Sequence, residues 1–319
     1  MLRTFDDVSS LILEGNLLHI AGPESLLKKL PKGNWIGGSI HSFMTSKGGI
    51  ISNDLLYVDS FDDLDYKIMS YDVDSVKNVT KDAYDYGFSI IIMPFMSPVL
   101  KFYAEEAHDF RDMFMKHIVG WVSGFDEKNP TRAITINGQT GDIFTNHAVV
   151  LHLSLPEERN INVGIVNIFT PDENSPIIEF DQDGFQINKC LIDGEEAVLS
   201  EYMKQNNIEI KFPMIGDYSG NGINVSFALT NDGSLQVGTP VFRNIKYRFS
   251  KPIVDYEKEF NRHVSKFRGI KPIFSINCGL NFTYGKLEGK KINTFYGPCS
   301  FGEIAYQLMN QTLVYVIIT

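Results

Sequence analysis

The sequence predicts an α/β protein of the α+β kind, in which mixed, largely antiparallel sheets are flanked by helices. The run from Gly87 to Pro94 is short, apolar and rich in isoleucine, which is typical of a fully buried strand. The next segment, 98–119, places apolar residues at steps of three and four, which predicts a helix packed on a sheet. A glycine turn followed by an asparagine-led strand also recurs three times along the chain, which indicates a diverged internal repeat.

The composition excludes some classes of partner. The chain has 319 residues, 43% of them apolar, and this length suffices for two domains or for one large α/β unit with a well-buried core. The net charge is −10 and no cluster of Lys or Arg opposes it, so the main attraction for a phosphate backbone is missing. We expect a small-molecule ligand and a signalling protein as partners, and no nucleic acid.

The location is predicted to be cytoplasmic. Acidic residues stand at the N-terminus where a signal peptide carries positive charge, and every apolar run is far shorter than the ~20 residues of a membrane-spanning helix. We therefore expect no membrane insertion. Three widely spaced cysteines suit free thiols in a reducing compartment better than a disulfide framework.

The remaining elements follow from periodicity and from Gly and Pro boundaries. The first 32 residues are predicted as an N-terminal helical cap, with a short helix at 24–30 that Pro31 ends. Further strands are predicted at 55–58, 132–137, 149–155, 162–169, 272–276 and 312–318, and further helices at 195–206 and 254–267.

The recurring unit joins an apolar pair ending in glycine to a later strand led by asparagine. Glycine there permits a positive φ or a close backbone approach, and asparagine starts a strand through a local turn. The spacing between the two parts varies, and chance recurrence of glycine turns is the alternative reading. The three copies are 35–39 with 53–58, 118–122 with 146–151, and 295–299 with 310–315.

The C-terminal stretch resembles the FIST family of sensory domains. Phe274-Ser275-Ile276-Asn277-Cys278-Gly279, then 297–304 (Gly-Pro-Cys-Ser-Phe-Gly-Glu-Ile) and 310–313 (Asn-Gln-Thr-Leu), match the family's closing strands and its Gly-Glu-Ile turn. Weaker similarity covers 37–61, 120–155, 185–203 and 232–235. The resemblance implies a FIST N-terminal-like domain at 33–180 and a FIST C-terminal-like domain at 181–319, as in stand-alone bacterial FIST-like proteins.

The family resemblance also implies a function. FIST domains are thought to sense small ligands, and some members are regarded as haem-dependent nitric oxide sensors. This sequence departs from the pattern at Leu280, where the family has an arginine, and that puts a carboxylate ligand in doubt. No kinase, cyclase or methyl-accepting output module is visible in the sequence.

The candidate ligand-binding residues lie at the three glycine turns, which are expected to converge on a pocket between the two halves. A combination of aromatic surface and exposed backbone N–H groups suits such a site. The candidates are Trp35, Gly37, Gly38, Ser39, Phe43, Gly120, Trp121, Asn277, Cys278, Gly279, Gly297, Cys299, Ser300, Gly302 and Glu303.

Several of these residues have an alternative, structural reading. Cys278 and Cys299 would contact ligand or sense redox state, or would be small apolar fillers of the core. Glu303 would present its carboxylate to a ligand, or would cap a helix over 304–309. His108 is interpreted as part of a solvated helix face, and the glycine-rich segment 216–222 as a flexible or pocket-lining loop.

The predicted function is therefore a small-molecule-binding sensory domain without catalytic activity. Two alternatives remain: a haem-binding gas sensor using one of the seven histidines, and a thiol-dependent enzyme acting through Cys278 or Cys299. No catalytic residue, metal site or cofactor is predicted, because nucleophile elbows, phosphate loops and zinc-ligand spacings are absent from the sequence.

Overall fold

The computed structural model describes residues 1–126, 132–218, 220–229, 235–292 and 294–319. It is a mixed α+β structure with 19% helix and 41% strand, and its sheets are mostly antiparallel. The fold class predicted from the sequence is confirmed. Within the described ranges, no helix combines the length and the apolarity that crossing a bilayer requires.

The elements of the first half of the chain alternate between short helices and strands. They are β1 (Leu2–Arg3), α1 (Phe5–Leu13), β2 (Leu18–Gly22), α2 (Glu24–Leu27), β3 (Trp35–Ser39), β4 (Ser42–Thr45), β5 (Gly48–Ile51), β6 (Leu56–Ser60), β7 (Tyr66–Tyr71), α3 (Val79–Asp82), β8 (Gly87–Pro94), α4 (Pro98–Glu106), β9 (His117–Ser123), β10 (Thr135–Asn137), β11 (Asp142–Phe144) and β12 (Ala148–Ser154).

The second half contains most of the short strands. Its elements are β13 (Ile161–Asn167), β14 (Ile178–Glu179), β15 (Gly184–Gln186), β16 (Lys189–Ile192), β17 (Glu195–Val198), α5 (Leu199–Gln205), β18 (Met214–Tyr218), β19 (Asn221–Val225), β20 (Phe227–Leu229), β21 (Leu235–Val241), β22 (Tyr247–Phe249), α6 (Tyr256–Ser265), β23 (Phe274–Cys278), α7 (Gly279–Tyr284), β24 (Gly297–Ser300), β25 (Glu303–Ala305), β26 (Gln307–Met309) and β27 (Thr312–Ile318).

Three six-stranded sheets share one arrangement. Their strand orders are β1-β6-β2-β3-β10-β11, β7-β12-β8-β9-β25-β26 and β13-β27-β23-β24-β4-β5. At the centre of each is a parallel pair, β2–β3, β8–β9 or β23–β24, whose strands are joined through α2, α4 or α7. The other pairings in these sheets are antiparallel. The predicted internal repeat of sequence stays a prediction, although the three copies fall on equivalent strands.

The three sheets also exchange hairpins. The outer hairpin of each sheet comes from the part of the chain that builds another sheet: β10–β11 joins the first, β25–β26 the second and β4–β5 the third. A large hydrophobic core therefore collects side chains from all three sheets, among them Ile36, Trp121 and Ile276. Burying apolar area between the sheets is the main favourable term that holds them together.

An additional module, residues 178–249, lies between β13 and β23 in the sequence. It forms a six-stranded sheet, β17-β16-β14-β22-β18-β19, and a three-stranded sheet, β15-β21-β20, around its own core. Strands β19 and β21 lie against β26, and β21 also lies against α4. The module is thus in contact with the second sheet, and this contact creates the cleft described below.

Several predicted helices are shorter than expected. The helix predicted at 98–119 ends at Glu106, because two 3₁₀ turns follow and Asp112 adopts a φ of 59°, which a helix interior does not tolerate. The helix predicted at 195–206 starts at Leu199, since the left-handed turn at Asp193 and Gly194 folds the preceding residues into a β16–β17 hairpin. The helix predicted at 254–267 spans Tyr256–Ser265.

The N-terminal segment was predicted as a helical cap. Its residues 1–32 contain α1 and α2 together with β1 and β2, and both strands lie inside the first sheet. The short helix predicted at 24–30 ends at Leu27. Strand β2 pairs in parallel with β3, so this segment is an integral part of the sheet.

Candidate functional site

The glycine-bearing strands β3, β9 and β24 each form the second member of a parallel pair. A Cβ at Gly120 would lie 1.9 Å from the Ile91 carbonyl oxygen, and one at Gly297 would lie 1.9 Å from the Ser275 carbonyl oxygen. Gly37 is less crowded, at 3.0 Å from the Ile20 oxygen. The prediction of turns at these glycines is wrong, because Gly37, Gly120 and Gly297 lie within strands. Of the two reasons given for glycine, close backbone approach is the one that operates here.

Apolar side chains fill the space between these strands. A Cβ at Gly38 would lie 2.7 Å from Ile92 Cγ2 and 2.9 Å from Trp121 Cη2. Trp121 and Phe43 are fully buried in the shared core, and Phe43 stacks on Tyr57 with ring centroids 6.3 Å apart. The structure thus brings Gly38, Phe43 and Trp121 together, but inside a packed core.

Trp35 lies apart from this core. Its indole packs over Gly138 and donates a hydrogen bond to the Pro31 carbonyl, 2.9 Å away, in a separate cluster around α1 and β2. Ser39, at the end of β3, donates to the Gly124 carbonyl at 2.6 Å and accepts from the Ile134 N–H at 2.9 Å. Both polar side chains are therefore satisfied by backbone partners.

Trp121 takes part in a buried polar chain that the sequence did not indicate. Its indole N–H donates to Nε2 of His19 at 2.8 Å, so the ring hydrogen of His19 is on Nδ1 and is donated to Asp59 at 3.0 Å. Both ring nitrogens of His19 are thereby occupied. This chain joins the first sheet to the second and positions the Trp121 ring in the core.

The remaining candidates form a second group, which we term the acid cluster: Cys278, Ser300, Glu303 and Thr312. All four side chains are at most 1% exposed. Glu303 accepts from Ser300 Oγ through Oε1 at 3.0 Å, and from the Thr312 hydroxyl and backbone N–H through Oε2 at 2.8 and 3.1 Å. Cys278 donates to the same carboxyl group. The cluster lies where β23, β24, β25 and β27 meet.

Glycines and the third thiol frame the acid cluster. Gly279 begins α7, and a Cβ there would lie 3.0 Å from the Ser300 carbonyl oxygen. Gly302 faces Leu308, and Cys299 precedes Ser300 on β24 within a hydrophobic cluster. The alternative in which Glu303 caps a helix over 304–309 is wrong, because β25 and β26 occupy these residues.

Burial dominates the electrostatics of the acid cluster. Desolvation raises the pKa of Glu303 to about 8, although the hydrogen bonds from Thr312, Ser300 and Cys278 act in the opposite direction. Burial likewise raises the pKa of the Cys278 and Cys299 thiols far above the ordinary thiol value. At neutral pH the carboxyl group is largely protonated and both thiols are neutral, which makes them poor nucleophiles.

A ring of buried amides surrounds the acid cluster. Asn281 donates to Asn277 Oδ1 at 3.1 Å and accepts from the Tyr256 hydroxyl at 2.6 Å, and the Gln311 amide lies 3.4 Å from that hydroxyl. Two polar atoms of this ring, Asn277 Nδ2 and Gln311 Oε1, are buried without a hydrogen-bond partner. Unpaired buried groups are costly, so this region departs from ordinary core packing.

An open cleft of about 510 Å³ lies between the second sheet and the additional module. Arg243 forms an ion pair with Asp183, with 3.3 Å between the guanidinium and the carboxylate, and the Arg243 backbone N–H donates to the same carboxylate at 2.6 Å. These contacts lower the pKa of Asp183, so the carboxylate is ionised at neutral pH. The cleft is lined by His108, Asp183, Tyr218, Phe242, Arg243, Asn244, Ile245 and Gln307.

Aromatic contacts hold the cleft wall in place. Phe242 meets the His108 ring edge-on at 5.3 Å and the Tyr218 ring at 6.2 Å. The Tyr247 hydroxyl accepts from the Phe242 N–H at 2.8 Å and lies 3.4 Å from the Tyr218 hydroxyl. Phe242 is therefore fixed between the second sheet and the module, with polar side chains on either side of it.

Sequence reasoning missed most of the cleft. His108 was assigned to a solvated helix face, and the structure places it on the cleft wall just after α4. The glycine-rich segment 216–222 gave the one usable signal, since Tyr218 from this segment lines the cleft. Ser219 of that segment lies outside the described residues, as do residues 232–234 of the family resemblance.

A second buried histidine has partners on both ring nitrogens. Ser89 Oγ lies 2.7 Å from His152 Nδ1, and the Tyr71 hydroxyl lies 3.1 Å from Nε2 and donates to Asp82 at 3.0 Å. Burial lowers the pKa of His152 to about 4. Ser89 and His152 are at most 1% exposed, so this serine–histidine pair is enclosed by the second sheet. Across the described part of the chain, no group of His, Cys, Asp and Glu side chains is arranged to hold a metal ion.

Comparison with known proteins assigns the chain to a family. No curated protein and no solved structure shows significant similarity to it. The resemblance to FIST domains stays a prediction. Residues 3–319 match the protein family described as "Family of unknown function (DUF6976)", and the chain belongs to this family.

Proposed function

We propose that this protein is a small-molecule-binding sensory domain without catalytic activity, and that its ligand occupies the cleft at His108 and Arg243. The cleft carries the proposal, because it is open to solvent, is of ligand size and combines the rings of Phe242 and Tyr218 with several polar groups. Its walls come from both predicted halves: His108 from 33–180 and the other lining residues from 181–319. A ligand that contacts both walls would favour one arrangement of the two.

The lining residues favour a small polar ligand with hydrogen-bond acceptors. Arg243, Asn244 and Gln307 supply donors, while the one carboxylate, Asp183, is already paired with Arg243. The Arg243 side chain is 61% exposed, so part of its guanidinium fork remains accessible. Phe242 and Tyr218 add ring surface beside these donors.

The alternatives are less well supported. A thiol-dependent enzyme needs an accessible thiolate, whereas Cys278 and Cys299 are each 1% exposed and have raised pKa values. A haem sensor needs an imidazole in an apolar slot. His19 and His152 have both ring nitrogens occupied, and His108 faces a cleft with charged walls, which does not fit a haem macrocycle.

The wider assignments rest on the sequence. The similarity to FIST domains supports a sensory function that signals through a protein partner, and the three widely spaced cysteines support a reducing, cytoplasmic location. In this scheme ligand binding at the cleft alters the surface of the additional module, and the partner protein recognises that surface.

A thermal-shift screen of polar metabolites at pH 7 tests the proposal. A ligand that binds only the folded state at 100 times its Kd stabilises it by about 2.7 kcal/mol, which is a measurable rise in Tm. We expect at least one compound to raise the Tm of the wild type and of R111A, a control at an arginine that is 93% exposed and outside the cleft. The same compound should not stabilise R243Q. Equal shifts in all three proteins would show that the cleft is not the site.

A further inference from the structure

Glu303 and the cleft residue Gln307 belong to the same hairpin, β25–β26. Glu303 begins β25 inside the acid cluster, and Gln307 begins β26 at the cleft wall. The turn between them is tight, because Tyr306 adopts a φ of 65°. Glu303 and the cleft-lining Gln307 are thus four residues apart in a single hairpin.

Among the residues that the structure describes, no basic group neutralises the Glu303 carboxyl group. The titratable groups that interact with it are Cys278 at the end of β23, Cys299 on β24 and Tyr256 on α6, and burial raises the pKa of all three, so they are uncharged. On β9 it faces Trp121, and from β27 it meets Thr312. An ionised carboxylate here would be buried without a counter-charge, which is strongly unfavourable.

The hydrogen bonds around Glu303 fit a neutral acid. Thr312 supplies two donors to Oε2, which then acts as the carbonyl oxygen of a protonated carboxyl group. Ser300 Oγ lies 3.3 Å from the Asn277 carbonyl and 3.0 Å from Oε1. It donates to Oε1 when the carboxyl group is ionised; when the group is protonated, it can instead donate to the Asn277 carbonyl and accept the acid proton. Each hydroxyl and acid hydrogen in this series of hydrogen bonds then has an acceptor.

The hairpin is attached to the cleft on both sides. Tyr103 donates to the Tyr306 carbonyl at 2.7 Å from α4. Beyond the hairpin, Asn310 accepts from Ser226 at 2.8 Å, and its carbonyl accepts from Asn224 at 3.0 Å. Ser226 and Asn224 belong to the additional module, whose β18 and β21–β22 residues form the opposite cleft wall.

We propose that Glu303 is a proton-operated latch: its neutral acid holds the β25–β26 hairpin in place, and loss of the proton to solvent loosens the hairpin and reshapes the cleft wall at Gln307. The latch needs no ligand, but its consequence for sensing rests on the function proposed above. Binding at the cleft would then depend on pH in the mildly alkaline range.

Trp121 provides a direct optical reporter, because it pairs with Glu303 across β9 and β25. With W35F removing the other tryptophan, the Trp121 emission should change in a single transition near pH 8. Ionisation rises from about one tenth at pH 7 to about nine tenths at pH 9. The W35F/E303Q protein should show no such transition, since glutamine reproduces the neutral acid.

Hydrogen exchange and a second substitution keep the proposal testable if E303Q does not fold. After correction for intrinsic rates, amides of 304–310 in the wild type should exchange roughly tenfold faster at pH 9 than at pH 7, while those of β8 should not change. T312V removes the hydroxyl hydrogen bond that favours the ionised form of Glu303, so the fluorescence transition should move to higher pH. T312S keeps a hydroxyl group and should return the transition to its wild-type pH. A flat response in the wild type, or an unchanged transition in E303Q, would overturn the latch. The assay contains no ligand, so its failure would leave the cleft proposal to the thermal-shift screen.

Discussion

The core between the three glycine-bearing strands and the cleft beside the additional module differ in what fills them. Side chains such as Trp121 and Phe43 fill the core, whereas the cleft is open and lined by charged and polar groups. The sequence motifs that repeat along the chain mark the first region, and residues from distant segments build the second. The recurrent glycines therefore lie where strands pack closely, and the proposed ligand cleft lies in a different part of the fold.

The largest expected effect on stability is in the core between the glycine-bearing strands. G120A would place a methyl group within contact of the Ile91 carbonyl, so β8 and β9 would have to separate. We expect a loss of about 3–5 kcal/mol in the free energy of unfolding, measured by urea denaturation.

The matched control is G194A. Gly194 has a φ of 87° and open space around it, so alanine there should cost about 1–2 kcal/mol through backbone strain alone. Equal losses at the two positions would mean that close approach of the strands is not the reason for glycine at position 120.

The next effect concerns the thiols. Cys190, Cys278 and Cys299 are all buried, and burial raises the pKa of Cys190 to about 11. We expect the native protein to react with a disulfide reagent at least about a hundredfold more slowly than the denatured protein, since neutral buried thiols do not attack. A single fast-reacting thiol at Cys278 or Cys299 in the native state would favour the thiol-enzyme alternative instead.

The acid cluster predicts an effect that is small over any one pH unit and accumulates with pH. The pKa of Glu303 is raised from 4.5 to about 8 on folding, so the stability linked to this proton is fully present below pH 4.5 and is lost as the pH rises to about 8. The loss is about 1.4 kcal/mol per pH unit at most. Between about pH 4 and 6.5 the buried His152, whose pKa is lowered to about 4, contributes a slope of the opposite sign. E303Q should therefore remove the Glu303 slope in urea denaturation between pH 6.5 and 8, while E196Q, at an exposed glutamate, should retain it.

If the free energy of unfolding still falls with pH in E303Q, the proton responsible belongs to another group. The carboxyl groups whose pKa is lowered, such as Asp183 and Glu259, act at lower pH and with the opposite sign. Their stabilisation is lost as the pH falls below about 4, so the two contributions are separated on the pH axis.

The smallest effect on stability is expected at the cleft. Arg243 is largely exposed and its ion pair with Asp183 is worth little, so R243Q should change the free energy of unfolding by less than about 1 kcal/mol. Because R243Q should leave the free energy of unfolding nearly unchanged, it is suitable for binding experiments. A loss comparable to that of G120A would show that Arg243 serves the fold.

The same contrast explains what the sequence could predict. The strand at Gly87–Pro94 was predicted with its observed bounds, because a short β-branched run between glycine and proline has few alternatives. The helix at 98–119 was overextended, since apolar spacing alone does not reveal the left-handed turn at Asp112. Local patterns specify an element better than they specify its end.

The candidate residues show the same limit. The candidates Cys278 and Ser300 are direct neighbours in the parallel pair β23–β24, while the pocket predicted around Cys278 and Cys299 stays a prediction. The cleft residues His108, Asp183 and Gln307 come from segments that meet only in the folded chain, and no local motif connects them. Their assembly depends on the docking of the additional module, which sequence periodicity does not describe.

Isothermal titration of the strongest compound from the thermal-shift screen tests the central claim most directly. We expect measurable binding to the wild type and to R111A at pH 7, with at least about tenfold weaker binding to R243Q, a difference of about 1.4 kcal/mol. Equal Kd values for the wild type and R243Q would contradict the placement of the ligand in the cleft.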